Sequence, residues 1–227
     1  MRSSFLQSLS ILALLSTVQA LPSPASSDSA EPVEQAIESR DQGPGISLTN
    51  KSAKEVTFYF YNNISNGNGT AVPNFNNPMN PPTTVAAGAT TFVSLPASFK
   101  GRVQRGNMLP ATWVEFQLDA ANDHNAHGDV SLQQGCDGAA TITPVGGSST
   151  GGFTNDVITG APGAAFAKKN DGTRALASTV GNWMGGPNVA AIKYLQKVVG
   201  QLKAYITGGT GVPDIMSTRK QFNVIFY

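Results

Sequence analysis

Six consecutive residues, Val56-Thr57-Phe58-Tyr59-Phe60-Tyr61, constrain this chain more than any other stretch. β-Branched and aromatic side chains lose rotamer freedom against the turns of a helix and pack well on a pleated surface. The run therefore predicts a strand. Ile46-Ser47-Leu48-Thr49-Asn50 alternates apolar with polar just before it, and period two is the signature of a half-buried strand. Further strands are expected at Thr83–Ala86, Thr90–Ser94, Gly101–Arg105, Trp113–Leu118, Asp129–Gln133 and Ala140–Thr143, with Ala87-Gly88 and Gly106-Asn107 as turns and Asn62–Pro82 as a long Asn/Gly/Pro loop. Phe222-Asn223-Val224-Ile225-Phe226-Tyr227 reads as a strand at the C-terminus, locked into the sheet. Short strands at this spacing, in a chain with 24 Gly, 14 Pro and only 13% charged residues, describe a mainly β protein built as a sandwich or barrel.

The last third follows another pattern. Gly146 to Gly186 is Gly/Ser/Ala-rich, and then Val189, Ile192, Leu195, Val199, Leu202 and Ile206 recur at steps of three and four, with Lys193, Lys197 and Lys203 off the stripe. This predicts an amphipathic helix packed on the sheet, capped by Asn188 and closed by Gly208-Gly209.

At the N-terminus, Arg2 precedes an apolar run from Phe5 to Val18 that ends in Val18-Gln19-Ala20. Such a run is too short to span a bilayer and suits a signal peptide cut after Ala20. Residues Leu21 to Pro44 are rich in Pro, Ser and Ala, with five acids against Arg40 alone, which predicts a disordered leader or pro-segment before a folded domain from Gly45 to Tyr227. Sequons at Asn50, Asn63 and Asn68 cluster near the mature N-terminus and predict N-glycosylation of a secreted, extracellular or cell-wall protein. With 15 Lys+Arg against 14 Asp+Glu, no basic excess supports binding to nucleic acid through counterion release. A single cysteine, Cys136, permits no internal disulfide. Cys136 has no cation near it in the sequence to lower its pKa, so a buried, inert thiol is expected. A monomer without a cofactor, a metal or a membrane partner is expected.

Four segments carry a family resemblance: VAAGATTFVSLPASFKGRVQRGN (85–107), TWVEFQLD (112–119), HGDVSLQQGCDGAATI (127–142) and the terminal FNVIF. In order and spacing they resemble the thaumatin-like and osmotin-like proteins. The resemblance covers Gly45 to Thr143 and the last six residues, and it implies a thaumatin-like β-sandwich with a helix-containing insertion, Gly146 to Thr218, before the final strand. The chain departs from the family in having one cysteine where members carry many disulfides, and in placing Cys136 at a family core aromatic.

Members of that family carry an acidic cleft built from an Arg, a Glu and several Asp, and some bind or slowly cleave β-1,3-glucan. The resemblance places Glu115 at the Glu, Asp129 at one Asp, Arg105 or else Arg102 at the Arg, and Gln134 where a further Asp stands. It implies binding of cell-wall β-1,3-glucan, with Glu115 and Asp129 as the catalytic pair if the protein is a glucan hydrolase. A secreted effector that keeps the fold and meets a host extracellular protein is the remaining alternative. Hydrolysis needs one protonated and one ionised carboxyl; a cleft Arg would hold Asp129 ionised and leave Glu115 as the donor. Trp113, Tyr59, Tyr61 and Trp183 could stack on sugar rings, but aromatics on sandwich strands are more often core residues, and that is the expectation for them. The run Asp123-His124-Asn125-Ala126-His127-Gly128-Asp129 reads as a polar loop between strands.

Overall fold

The computed structural model describes residues 42–68, 70–181, 185–208 and 214–227. The expected signal peptide, the leader up to residue 41, Trp183 and Gly209 lie outside the described residues. In chain order the elements are β1 (Gly45–Asn50), β2 (Val56–Asn62), β3 (Ile64–Ser65), β4 (Ala71–Val72), β5 (Thr83–Val85), β6 (Thr90–Ser94), β7 (Lys100–Arg105) and β8 (Trp113–Gln117). They continue as β9 (Ala126–Ser131), β10 (Ala140–Pro144), β11 (Gly151–Gly152), β12 (Phe166–Lys168), β13 (Arg174–Leu176), α1 (Val189–Val198), β14 (Ile215–Ser217) and β15 (Gln221–Phe226).

Two sheets face one another, one in the order β11-β10-β15-β1-β6 and the other in the order β14-β9-β8-β7-β2-β5. β15 lies between β1, to which it is parallel, and β10, to which it is antiparallel. Phe222, Val224 and Phe226 are fully buried while Asn223 between them is exposed, the alternation that a half-covered sheet requires. Phe226 meets Phe58 across the sandwich at 5.0 Å between ring centroids, and Phe222 meets Phe116 at 6.2 Å. Ile46, Leu48 and Ile142 complete the core from one sheet, and Phe60, Val103, Val114 and Val130 complete it from the other.

One row across the second sheet combines sizes that fit only one way. Gly101 stands opposite Phe116, and Phe116 opposite Gly128. A methyl group on Gly128 would come within 2.5 Å of Ile142 Cδ1 and 3.0 Å of the Glu115 carbonyl oxygen, and one on Gly101 would overlap the Tyr61 carbonyl. Glycine is thus required on both sides of the Phe116 ring.

Three expectations shift. β9 begins at Ala126, ahead of the expected Asp129, because its ladder with β8 already pairs Gln117 with His127. Gly43 and Pro44, read as leader, are tied to the sheet: the Gly43 carbonyl accepts from Gln221 Nε2 at 2.6 Å and the Pro44 carbonyl from the Leu95 N–H. Asn188 caps α1 as expected, its side chain accepting from the Ala191 N–H at 2.9 Å. The helix nevertheless stops at Val198, since Gly200 adopts φ +85 and donates to the Leu195 carbonyl, a left-handed C-terminal stop. Leu202, assigned to the apolar stripe, is consequently 71% exposed. No helix among the described residues is long and apolar enough to cross a membrane.

Cys136 is fully buried, within 3.4 Å of the Thr112 hydroxyl, and burial pushes its thiol up to about 11.

Two outcomes are expected. Phe222→Ala should cost about 3–5 kcal/mol in a denaturant titration, whereas Asn223→Ala should stay within about 0.5 kcal/mol. Cys136 should resist a thiol reagent in the native protein and react once denaturant unfolds it.

Candidate functional site

The outer face of the six-stranded sheet carries the ionisable residues, and the ladders line them up. Tyr61 faces Arg102, Arg102 faces Glu115, and Glu115 faces Asp129. Asp214, immediately before β14, reaches the end of this row, where its charge acts on Asp129. The adjacent row runs Lys100, Gln117, His127, Met216. Between them lies an open cleft of about 360 Å³ with Glu115, Gln117 and Asp129 in its floor, Asn63 and Lys100 at one end, and Asn122, His127 and Asp214 at the other. It crosses the strands β7, β8 and β9, from Asn63 just past β2 to Asp214 just ahead of β14.

Glu115 and Asp129 are partly buried and directly opposed, a pairing that sets their Cβ atoms about 4.5–5.5 Å apart. Burial raises the Glu115 pKa, while a hydrogen bond with Ser131 and the charge of Arg102 oppose the rise. Asp129 has no such help. Burial, then the charges of Glu115 and Asp214, push it well above the ordinary range, and its Oδ1 is enclosed without a hydrogen-bond partner among the described residues. Two like charges this close do not both ionise readily. Of the two, Asp129 is the one pushed further toward its protonated form, by burial and by the charges of Glu115 and Asp214. These directions run opposite to the expectation that a cleft Arg holds Asp129 ionised, because the register puts Arg102 opposite Glu115.

Arg102 is buried to 2% exposure. Its guanidinium lies 3.9 Å from the centre of the Trp113 ring and 4.0 Å from that of Tyr61, donates to the Asn74 carbonyl at 2.7 Å, and reaches Gln104 Oε1 at 3.0 Å. Burial lowers its pKa to about 10, against the pull of Tyr61 and Glu115, so it stays charged at neutral pH.

No family model matches the chain, and no curated protein matches it. Among solved structures, a laminaripentaose-producing β-1,3-glucanase in complex with laminaritetraose aligns with a TM-score of 0.45 at 10% identity, covering 81% of this chain and 98% of that one. The protein elicitor MoHrip2 from Magnaporthe oryzae aligns with a TM-score of 0.35 at 14% identity, covering 49% of this chain and 78% of that one. No residue of the cleft is assigned from either.

Other expected site residues sit elsewhere. Arg105 points away from the cleft, donating to the Asp137 and Ala139 carbonyls and lying 5.1 Å over the Phe226 ring. Gln134 follows β9, where its carbonyl accepts from the Ala111 N–H, and it does not line the cleft. Trp113 and Tyr61 are 2% exposed with Arg102 against their rings, so they offer no platform to a sugar. Tyr59 also lies outside the cleft lining.

The sequons separate in the same way. Asn50 is 1% exposed, its amide nitrogen donating to the Lys54, Val85 and Ala86 carbonyls, which leaves no space for a glycan. Asn63 borders the cleft and Asn68 is exposed.

His127 and Asp214 escaped the sequence reading as partners. They are 87 residues apart, and the three-residue strand after Asp214 gives no alternation long enough to read. Tyr205 likewise comes close, its phenol raised by burial and by Asp129, Asp214 and Glu115.

A carboxyl with a raised folded pKa stabilises the protein fully below its unfolded value, and that contribution is lost as pH rises through the folded one. Asp129→Asn should accordingly raise the melting temperature at neutral pH, and the gain should vanish below about pH 3.8. A variant that melts like the wild type at both pH values would place Asp129 in water.

Proposed function

We propose that this protein is a secreted, N-glycosylated, thaumatin-like β-sandwich whose outer cleft binds β-1,3-glucan of cell walls. The opposed Glu115 and Asp129 in the floor of an open polar cleft carry this reading. The trough runs across β7, β8 and β9, which suits an extended chain, and its amides and carboxyls are hydroxyl-binding groups. Lys100 is its one lysine or arginine among the described lining residues, in keeping with an uncharged polymer. The likeness of residues 85–142 to thaumatin-like proteins supplies the choice of glucan. Glycans are proposed at Asn63 and Asn68.

Hydrolysis is the second reading, favoured by the unequal surroundings of the two carboxyls. Burial and the charges of Glu115 and Asp214 push Asp129 toward its protonated form, while Arg102 and Ser131 favour ionised Glu115. A protonated carboxyl facing an ionised one is the equipment that glycoside cleavage uses. Asp129 would protonate the leaving oxygen. Glu115, bound to Ser131 and facing Arg102, would act as base or nucleophile.

Incubation with insoluble curdlan, scored for bound protein and released sugar, separates the two readings. Binding without release leaves a glucan-binding protein. Release identifies a hydrolase, and then Asp129→Asn and Glu115→Gln should each cut turnover by roughly 10² or more while sparing binding. The anomer first formed, read by NMR, reports whether the carboxyls retain or invert configuration. Wild-type protein that neither binds nor degrades the polymer would sink both readings.

A further inference from the structure

At the β14 end of the cleft an imidazole is held on both nitrogens by carboxylates. His127 Nδ1 lies 2.6 Å from Asp214 Oδ2, and Nε2 lies 2.9 Å from Asp123 Oδ2. Neutral imidazole has one N–H and one lone pair, so two carboxylate acceptors are satisfied together only by imidazolium. The partners come from different parts of the chain: Asp123 from the loop between β8 and β9, His127 from β9, and Asp214 from just ahead of β14. Asp214 has a side chain 62% exposed, and its hydrogen bond to His127 is the one it makes among the described residues. Without that bond nothing described fixes the Asp214 carboxylate beside Asp129.

We propose that Asp123, His127 and Asp214 form a clamp in which His127 is a positioning residue: its imidazolium fixes the Asp214 wall of the cleft, and loss of its proton releases that wall and sets the alkaline limit of ligand binding. The second half rests on the cleft being the glucan site.

The surroundings favour the charged ring. Asp123 and Asp214 touch it, Asp129 follows two residues along its own strand, and Glu115 faces Asp129 from β8. Gln117 and Met216 stand opposite it on the two neighbouring strands, and Lys100 lies beyond Gln117 on β7. On the same loop Asp119 is occupied by His124 at 3.3 Å and Lys220 at 2.9 Å. Burial lowers the His127 pKa, but the hydrogen bonds and charges of Asp123 and Asp214 outweigh it and hold the group above 6.5. The Asn125 N–H, with His127, holds Asp123 at about 2.

The sign follows. The His127 contribution is complete below about pH 6.5 and is lost as pH rises through the raised value. The Asp123 contribution is complete above about pH 3.8 and is lost only as pH falls toward about 2. The clamp is whole in mildly acidic solution.

The test follows the His127 ring by NMR titration in the full chain, alongside laminarin-oligosaccharide affinity from about pH 5.5 to about pH 8. In wild-type protein the ring should titrate above its ordinary value, and Asp123→Asn or Asp214→Asn should each bring it down. Wild-type affinity should fall as pH rises through the ring's own midpoint, and His127→Gln should remove that dependence. A ring that titrates at its ordinary value, indifferent to both Asn variants, overturns the clamp. A His127→Gln protein that keeps the wild-type alkaline fall overturns the positioning role. Absence of oligosaccharide binding by the wild type at every pH overturns the glucan reading and the binding half of the proposal, while the ring titration still decides the clamp.

Discussion

An antiparallel ladder slipped by one residue carries every side chain of the strand to the opposite face of the sheet. In the β7-β8-β9 ladders such a slip would drive Glu115 and Asp129 into a core of Phe, Val and Ile, where neither could ionise. The register is held against this by the inward row Gly101, Phe116, Gly128. The Phe116 ring sits 4.9 Å from Phe99 and 6.2 Å from Phe222, and no larger residue fits on either side of it. The outward row of Arg102, Glu115 and Asp129 inherits that register. Core packing, which has no chemistry of its own, thereby sets which acid meets which charge.

Arg102 converts the register into electrostatics. A buried guanidinium without partners would be costly, but here aromatic faces, the Asn74 carbonyl and Gln104 surround it. Arg102 stabilises the ionised form of the carboxyl it faces, Glu115, and leaves Asp129 between two other negative groups. The asymmetry arises from position in a row and not from residue type. It also has a stability cost, since the enclosed Asp129 Oδ1 finds no hydrogen-bond partner among the described residues, a conflict common at functional sites.

Much of this was legible in the sequence, because period two reports faces. Val114, Phe116 and Leu118 turn inward, so Glu115 and Asp129 had to point outward, and neighbouring strands then bring them together. What alternation cannot report is which strand lies beside which residue number. Arg102 and Arg105 differ by three positions, so they fall on opposite faces of β7, and only the ladder shows that Arg102 is the one facing Glu115. The register likewise decides which of the two carboxyls the arginine charge acts on. Trp113 and Tyr61 are buried, as aromatics on sandwich strands are expected to be, but what covers them, Arg102 and the Asn74-Phe75 loop, is assembled by the fold and not readable from alternation. Helix α1 was overextended because the apolar spacing continues past Gly200, where a positive φ ends the helix. Asp214 left no local signal, since its partners are assembled by topology alone.

The place of β15 has a consequence in time. It fills the gap between β1 and β10, and its partner β1 stands at the opposite end of the described chain. At synthesis rates of about 5 to 20 residues per second, roughly 10 to 35 s separate the appearance of β1 from that of β15. Until β15 appears, one edge of β1 and, once it has been made, one edge of β10 lack their partner, and Ile46, Leu48 and Ile142 beside them have no Phe222 or Phe226 to meet. A sheet that formed before the last strand arrived would be open along those two edges, so cooperative closure has to wait for the C-terminal residues.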